Sequence, residues 1–442
     1  MTRLAFHNGN KCITAESPEM FDWPIVTAED EAAVLDVLRR RVMSGTDVTV
    51  QLEKDLAEYH GTEFALGYCN GTSAILGGMF GLGIGQGDEV ICPSLTYWAS
   101  AAPLLMLNAI PVFCDIDPDT LCLDPDDIQH RITPRTRAMI VVHLYGHPAD
   151  MDRIQAIADK HGLKILEDFS HAQGMLHKGH LAGTMSDVGC TSLMTGKSLA
   201  CGEGGALITN DRSVYERAVA FGHYERMGSA RYGQTSAGIS DPELQKYAGV
   251  PMGGFKHRMH QMSAAMCRVQ LRSYNSRITE IQESMNFFWD QLDGVPGLQP
   301  HRVDPRSDST MGGWYSPVGI YRADELGGLP ISRFIEAVKA EGAHCGAAPN
   351  FPLHTHPVFQ EADVYHLGSP AVCSFAETDR RQGPGTLPVA ESTPHRIYQI
   401  PWFKHMRPEI ITEHATAFRK VAENADQLKE KEHENVAQSC AL

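Results

Sequence analysis

The sequence predicts an α/β protein with a mostly parallel central sheet and a smaller C-terminal α+β lobe, and three observations carry that expectation. Short apolar runs recur without alternation, at Glu89-Val-Ile-Cys-Pro93, Pro111–Asp115, Ala138–Leu144, Lys164–Asp168 and Val188–Leu193. Strands buried on both faces read this way, whereas half-solvated strands alternate. Helical patterns over Tyr97–Ala109 and Met151–His161 separate them and supply the crossovers that parallel strands require. Finally, the 442 residues exceed one typical core, and the pattern changes after residue 265 to Gly- and Pro-punctuated segments.

Taken in order, residues 30–60 carry helical apolar spacing, and Gln261–Leu292 reads as one long helix. Ile331–Glu341 and Pro408–Glu430 read as helices of the second lobe. Residues 223–250 and 365–395 read as long loops, which in a compact domain are usually functional or mobile. The expected organisation is an arm over 1–28, a large domain over 29–265 and a smaller domain over 266–442.

Composition excludes several classes. The balance of 38 basic and 54 acidic residues leaves a formal charge of −16, unlike the clustered positive charge that nucleic-acid binding draws on. No apolar run approaches the ~18 residues of a membrane span. Met1–Gly9 lacks the apolar stretch of a signal peptide. Eleven scattered cysteines with no C-x-x-C pair fit neither a disulfide framework nor a zinc site, so no metal and a reducing cytoplasm are expected.

In open α/β sheets ligands bind beyond the carboxyl ends of the strands, and three regions would meet on that rim. Asn70-Gly-Thr-Ser73 opens an apolar helix; it is either a plain N-cap or a phosphate cradle of free N–H groups. Glu167-Asp168 ends an apolar strand, where a carboxylate needs a partner: a helix cap, or a protonated ring nitrogen of a cofactor. Lys197 lies in Met194-Thr-Gly-Lys-Ser-Leu-Ala-Cys-Gly-Glu-Gly-Gly205, where a desolvated amine could form a Schiff base with an aldehyde. The glycine run Gly81–Gly87 precedes a strand and so is a turn, unlike a dinucleotide fingerprint.

Together Gly71-Thr-Ser-Ala, Pro93-Ser-Leu-Thr-Tyr, Glu167-Asp-x-x-His-Ala-x-Gly, Gly196-Lys with Gly202-Glu-Gly-Gly, and Gly254-Phe-Lys-His-Arg-Met resemble the DegT/StrS family of sugar and aminocyclitol aminotransferases, over roughly residues 25 to 425. The resemblance implies the aspartate-aminotransferase-like fold (fold type I), pyridoxal 5'-phosphate as cofactor, and a homodimer with active sites at the subunit interface. It implies that Lys197 carries the cofactor aldehyde and moves the proton, and that Asp168 keeps the pyridine nitrogen protonated. His171 falls near the phenolic oxygen and Tyr97 on the ring face, while Gly71, Thr72, Ser73 and Ser192 hold the phosphate. Lys256 stands where many relatives carry an asparagine reaching the neighbouring subunit's phosphate. Pro111–Pro125 is similar to the branch acting on aminocyclitols.

The implied reaction moves an amino group from glutamate or glutamine to a keto-sugar or ketocyclitol in a biosynthetic pathway, such as that of an antibiotic. The family's dehydratases replace the lysine that is present here as Lys197. A non-catalytic regulator would need a DNA-binding partner domain, and a nucleotide-binding protein has the misplaced glycine run against it. Arg226, Arg231 and Arg258 are candidates for a substrate anion, and His354 for a substrate contact. Glu203 reads as structural, tied to backbone N–H groups; His143 and Tyr145 either pack under the cofactor or are satisfied core residues, the second being favoured.

Overall fold

The computed structural model describes residues 3–228 and 239–429. Its main sheet uses β1 (Phe64–Tyr68), β2 (Glu89–Pro93), β3 (Ile110–Cys114), β4 (Thr136–Val142) and β5 (Lys164–Asp168). After a two-stranded hairpin of β6 (Leu176–His177) and β7 (His180–Leu181) come β8 (Val188–Ser192) and β9 (Gly205–Thr209). The strand order is β1-β9-β8-β5-β4-β2-β3. Only β9 runs antiparallel to its neighbours β1 and β8; the other pairs are parallel. Because β8 and β9 are antiparallel, the segment joining them turns at the carboxyl end of β8, the same rim on which β1, β2 and β5 end. That topology delivers Lys197 to the rim.

The exposed edge of β3 is covered by the 365–395 segment, which carries the short helices Ala371–Ser374 and Pro388–Ser392. Gln382 donates to the Phe113 carbonyl at 2.6 Å and accepts from its N–H at 2.7 Å, so one side-chain amide substitutes for a neighbouring strand. Part of the expected loop is thus edge cover.

Four expected helices differ. Residues 30–60 form two helices, Ala28–Arg40 and Asp47–His60, because Arg41 takes a left-handed conformation. Gln261–Leu292 divides into Gln261–Arg272 and Tyr274–Asp290 at Ser273. Over Tyr97–Ala109 there are only two 3₁₀ turns, Trp98–Ser100 and Ala102–Leu107. Pro103 has no N–H to give a continuous helix there. The Pro408 helix ends at Glu423, followed by a 3₁₀ turn over Ala425–Leu428.

The second sheet, of β10 (Leu298–Pro300), β11 (Val318–Tyr321), β12 (Gly346–Ala347) and β13 (Ile397–Gln399), is antiparallel. It packs with the helices Ile331–Ala340 and Pro408–Glu423 around Trp289, Phe334, Tyr398 and Phe418. The N-terminal segment joins this core through Leu4 and Met20, and Ala5 N–H donates to Glu341 Oε1 at 2.7 Å.

Candidate active site

A cavity of about 380 Å³ opens where the carboxyl ends of β1, β2, β5 and β8 meet the second lobe. Its walls include Gly71 and Thr72 after β1, Tyr97 and Ser100 after β2, Asp168 and His171 at the end of β5, and Ser192 and Lys197. Tyr315, Ser316 and Asn350 come from the C-terminal half.

The helix Gly71–Gly81 starts on the cavity wall. Asn70 caps it by accepting the Ser73 N–H at 2.8 Å, so the Ser73 N–H is consumed by the cap, while Gly71 and Thr72 face the cavity. Ser73 itself does not line it. A Cβ on Gly71 would sit 2.7 Å from Ser192 Cβ, so the absence of a side chain lets the helix start press against the end of β8.

Lys197 lies on the β8–β9 connection, which closes on itself: Leu193 N–H donates to Gly204 O, Thr195 N–H to Gly202 O, and Lys197 N–H to Met194 O, each at 2.8 Å. Gly202, at φ +93°, supplies a conformation side chains resist. Lys197 is 6% exposed. Its Nζ stands 3.9 Å over the Tyr315 ring. Burial pushes its pKa down to about 8, with the Asp168 charge pulling the other way.

Asp168 is 4% exposed and accepts from Ser100 Oγ at 2.8 Å and from the Ser170 N–H at 3.1 Å. Both donors are neutral, so a buried carboxylate faces the cavity without a bonded cation. A ligand N–H⁺ would complete it. His171 is buried, accepts the Tyr145 N–H on Nδ1 at 3.5 Å, and lies 4.6 Å from the Tyr315 ring. Burial, reinforced by Lys197, holds it well below the usual histidine range, so the ring is neutral at pH 7. Tyr97 is 50% exposed at the cavity wall.

Several expected residues lie elsewhere. Arg226 pairs with buried Glu53 at 2.8 Å, which also accepts the Gly67 N–H; this ion pair supports β1. Arg258 bridges the backbone at Tyr68 and does not line the cavity. Lys256 is exposed, 6.0 Å from the Tyr224 ring. Arg231 lies outside the described residues. His354 is fully buried between Ser94 Oγ at 2.6 Å and Glu391 Oε1 at 3.0 Å, where it joins the 350s segment to the end of β2. Glu203 reverses its expectation: it is exposed, lines the cavity, and its carboxylate makes no hydrogen bond among the described residues. His143 is a satisfied core residue, bonded to Glu167 Oε1 at 2.9 Å and to the Ala149 N–H at 3.1 Å. The Tyr145 hydroxyl donates to Asn350 Oδ1 at 3.0 Å.

Sequence reasoning missed four residues. Ser100 orients Asp168. Gln173 bonds both walls, donating to Ser192 O at 2.6 Å and accepting from Ser198 Oγ at 2.8 Å and the Leu199 N–H at 3.1 Å. Trp23 Nε1 donates to Lys197 O at 2.7 Å, and Tyr315 covers the amine. Ser100 and Gln173 were accessible from their positions beside the motifs; Trp23 and Tyr315, distant in sequence, had no local signal.

The α/β fold brings a buried lysine, a buried carboxylate and a helix start to one cavity at the carboxyl ends of its strands. The sequence profile of the DegT/DnrJ/EryC1/StrS aminotransferase family matches residues 24–419; the chain belongs to this family and is an aminotransferase of the aspartate-aminotransferase-like fold. It is 32% identical to the L-glutamine:2-deoxy-scyllo-inosose aminotransferase of Streptoalloteichus tenebrarius, over 89% of this chain and 91% of that one. It is 33% identical to the dTDP-3-amino-3,4,6-trideoxy-alpha-D-glucose transaminase of Streptomyces venezuelae, over 90% and 94%. The crystal structure of S. venezuelae DesV in complex with a ketimine intermediate matches with a TM-score of 0.71 at 31% identity, covering 90% of this chain and 95% of that one.

Proposed function

We propose that this aminotransferase uses pyridoxal phosphate to move an amino group from glutamine to a ketocyclitol. The observation that carries the reading is the convergence of Lys197, Asp168 and the Gly71 helix start on one cavity. The residues fit the cofactor: the helix N–H groups suit its phosphate, Asp168 suits a protonated pyridine nitrogen, and Lys197 suits its aldehyde. When bound, pyridoxal phosphate supplies a carbonyl that condenses with amines and a protonated ring that takes up the electron pair left as an α-proton departs.

Lys197 would hold the cofactor's aldehyde, and its free amine would take the donor's α-proton. In the second half Lys197 would return a proton to the carbon that becomes the new amine, the water consumed in releasing the donor as its keto acid being matched by the water lost from the acceptor ketone. Its depressed pKa serves both directions, since a base that must also act as an acid works best near the operating pH. Asp168, oriented by Ser100, would hold a proton on the pyridine nitrogen, and Tyr97 and neutral His171, which line the same cavity, would help hold the ring.

The names of the relatives support the substrate class. Among the described residues no arginine lines the cavity, which favours a neutral polyhydroxy ketone over a nucleotide-linked sugar. Hydroxyl and amide groups of Tyr97, Ser316 and Asn350, with the Glu203 carboxylate, provide partners for hydroxyls. Tyr97, Trp98 and Phe351 are exposed, which supports a homodimer contact near the mouth, with Lys256 reaching a second copy's phosphate site. We further read the chain as an arm (1–28), a cofactor domain (29–265) and a smaller domain (266–442) of a cytoplasmic biosynthetic enzyme.

The test is the Lys197→Ala protein with pyridoxal phosphate, glutamine and a panel of ketocyclitols and nucleotide-linked ketosugars. It should lack the visible absorbance of the lysine-bound cofactor and transfer no nitrogen; turnover by this variant refutes the assignment. A wild-type preference for the nucleotide-linked sugars refutes the acceptor class.

A further inference from the structure

Beside the cavity lies a smaller pocket of about 280 Å³ whose wall includes Ser316, His344, Gln399, Trp402 and Lys404. Ser316 lines both spaces. We propose that this pocket is the subsite for the carboxylate of the amino-acid donor, with Lys404 as its cation; the proposal rests on the transamination reading above.

Lys404 is 4% exposed, yet no carboxylate among the described residues is in ion-pair reach of it. Its Nζ donates to Trp402 O at 3.0 Å, stands 3.5 Å over the Trp402 ring and lies 5.8 Å from the Trp23 ring. Neutral partners compensate a buried ammonium poorly, and burial accordingly pushes Lys404 down to about 7. A chain seeking only bulk at this position would gain from an apolar residue, so a buried cation without an anion points to one that arrives from outside.

The rest of the wall matches a carboxylate. His344 is held below its usual range by burial and then by the Lys404 charge, so it stays neutral with a ring N–H to offer, and no acidic residue lies on the wall. Gln399 Nε2 donates to Ser316 Oγ at 3.4 Å, a long bond that an incoming carboxylate oxygen can replace. The pocket connects mechanically to the catalytic lysine: Trp402 meets the Tyr315 ring edge-on at 6.0 Å, and Tyr315 covers Lys197. Trp402 Nε1 is itself fixed on Gly313 O at 3.0 Å. A donor whose carboxylate enters past Ser316 would present its amine toward the Lys197 side.

The probe is glutaramate, which is glutamine without its α-amino group, compared with uncharged glutaramide. Each is titrated into the pyridoxal-phosphate-loaded protein and followed by intrinsic tryptophan fluorescence, since two indoles flank Lys404. Wild type should bind glutaramate at least about tenfold more tightly than glutaramide, the scale of one charge-assisted hydrogen bond. Lys404→Met and Lys404→Gln should abolish that preference, Lys404→Arg should keep most of it, and the KM for glutamine should rise about tenfold in the first two while the acceptor KM holds. Equal wild-type binding of the two probes overturns the proposal without needing any variant, and so does an undiminished preference in either neutral variant. Failure of the transamination reading looks different: wild type would then lack the visible cofactor absorbance or fail to react with glutamine.

Discussion

Gly71→Ala isolates what the missing side chain does at the phosphate end of the site. The substitution adds one methyl group, 2.7 Å from Ser192 Cβ and 2.8 Å from Ser192 Cα. Ordinary carbon contact begins near 3.5 Å, so one side must move by about 0.8 Å. Ser192 resists: it is paired with Gly205 across β8–β9, its N–H donates to Ser170 Oγ at 2.9 Å, and its carbonyl is held by Gln173. The helix start must therefore yield, carrying the Gly71 and Thr72 N–H groups away from the phosphate position. Overpacking of this kind costs about 1–3 kcal/mol, partly offset by the ~1 kcal/mol that alanine gains over glycine in a helix, so the fold should survive. Losing one or two hydrogen bonds to a charged phosphate should weaken pyridoxal phosphate binding about 10- to 100-fold. The assay is equilibrium titration of the cofactor by absorbance, with Gly85→Ala as control, since a Cβ there meets no heavy atom within 4 Å. A Gly71→Ala affinity within twofold of wild type would refute the steric reasoning.

In cofactor-free protein, labelling of Lys197 by an amine-reactive reagent should rise with a midpoint near pH 8. Burial disfavours the ammonium, so about half the amine is free at that pH, against about 0.3% for an ordinary lysine; in Asp168→Asn the midpoint should fall further, because the carboxylate favours the charged form. A midpoint near 10 would contradict the burial argument. Gln173→Met should lower stability by about 2–5 kcal/mol, because the Ser198 hydroxyl, Leu199 N–H and Ser192 carbonyl lose a shared buried partner; an unchanged thermal unfolding midpoint would show that these groups re-pair.

Much of the site was legible because its residues lie in local motifs. Asp168 follows an unbroken apolar run, Lys197 lies among glycines, and Asn70-Gly-Thr starts a helix, so each could be placed at the end of a strand from its own neighbourhood. The arginines show where that stops. Arg226 has the right residue type for an anion, but the partner that claims it, Glu53, is 173 residues away and sits under β1. His354 likewise resembles an active-site histidine in sequence, and its two ring nitrogens are spent on Ser94 and Glu391. Glu203 erred in the opposite direction: glycines beside a carboxylate suggest N–H partners, whereas Gly202 and Gly204 enter the β8–β9 connection as acceptors, their carbonyls taking the Thr195 and Leu193 N–H groups. The Tyr97–Ala109 segment has helical apolar spacing, but Pro103 restricts it to short 3₁₀ turns.

By itself the sequence determined the parallel sheet, its carboxyl-end rim and the lysine, aspartate and helix start upon it, because apolar runs, breakers and caps act over a few residues. Tertiary structure alone decided what surrounds them. Trp23 and Tyr315 reach Lys197 from far before and far after it in the chain, Gln382 closes the edge of β3, and Lys404 is buried with no carboxylate beside it among the described residues. Burial, and the charge compensation it demands, is a property of the whole packed molecule, and no local stretch of chain encodes it.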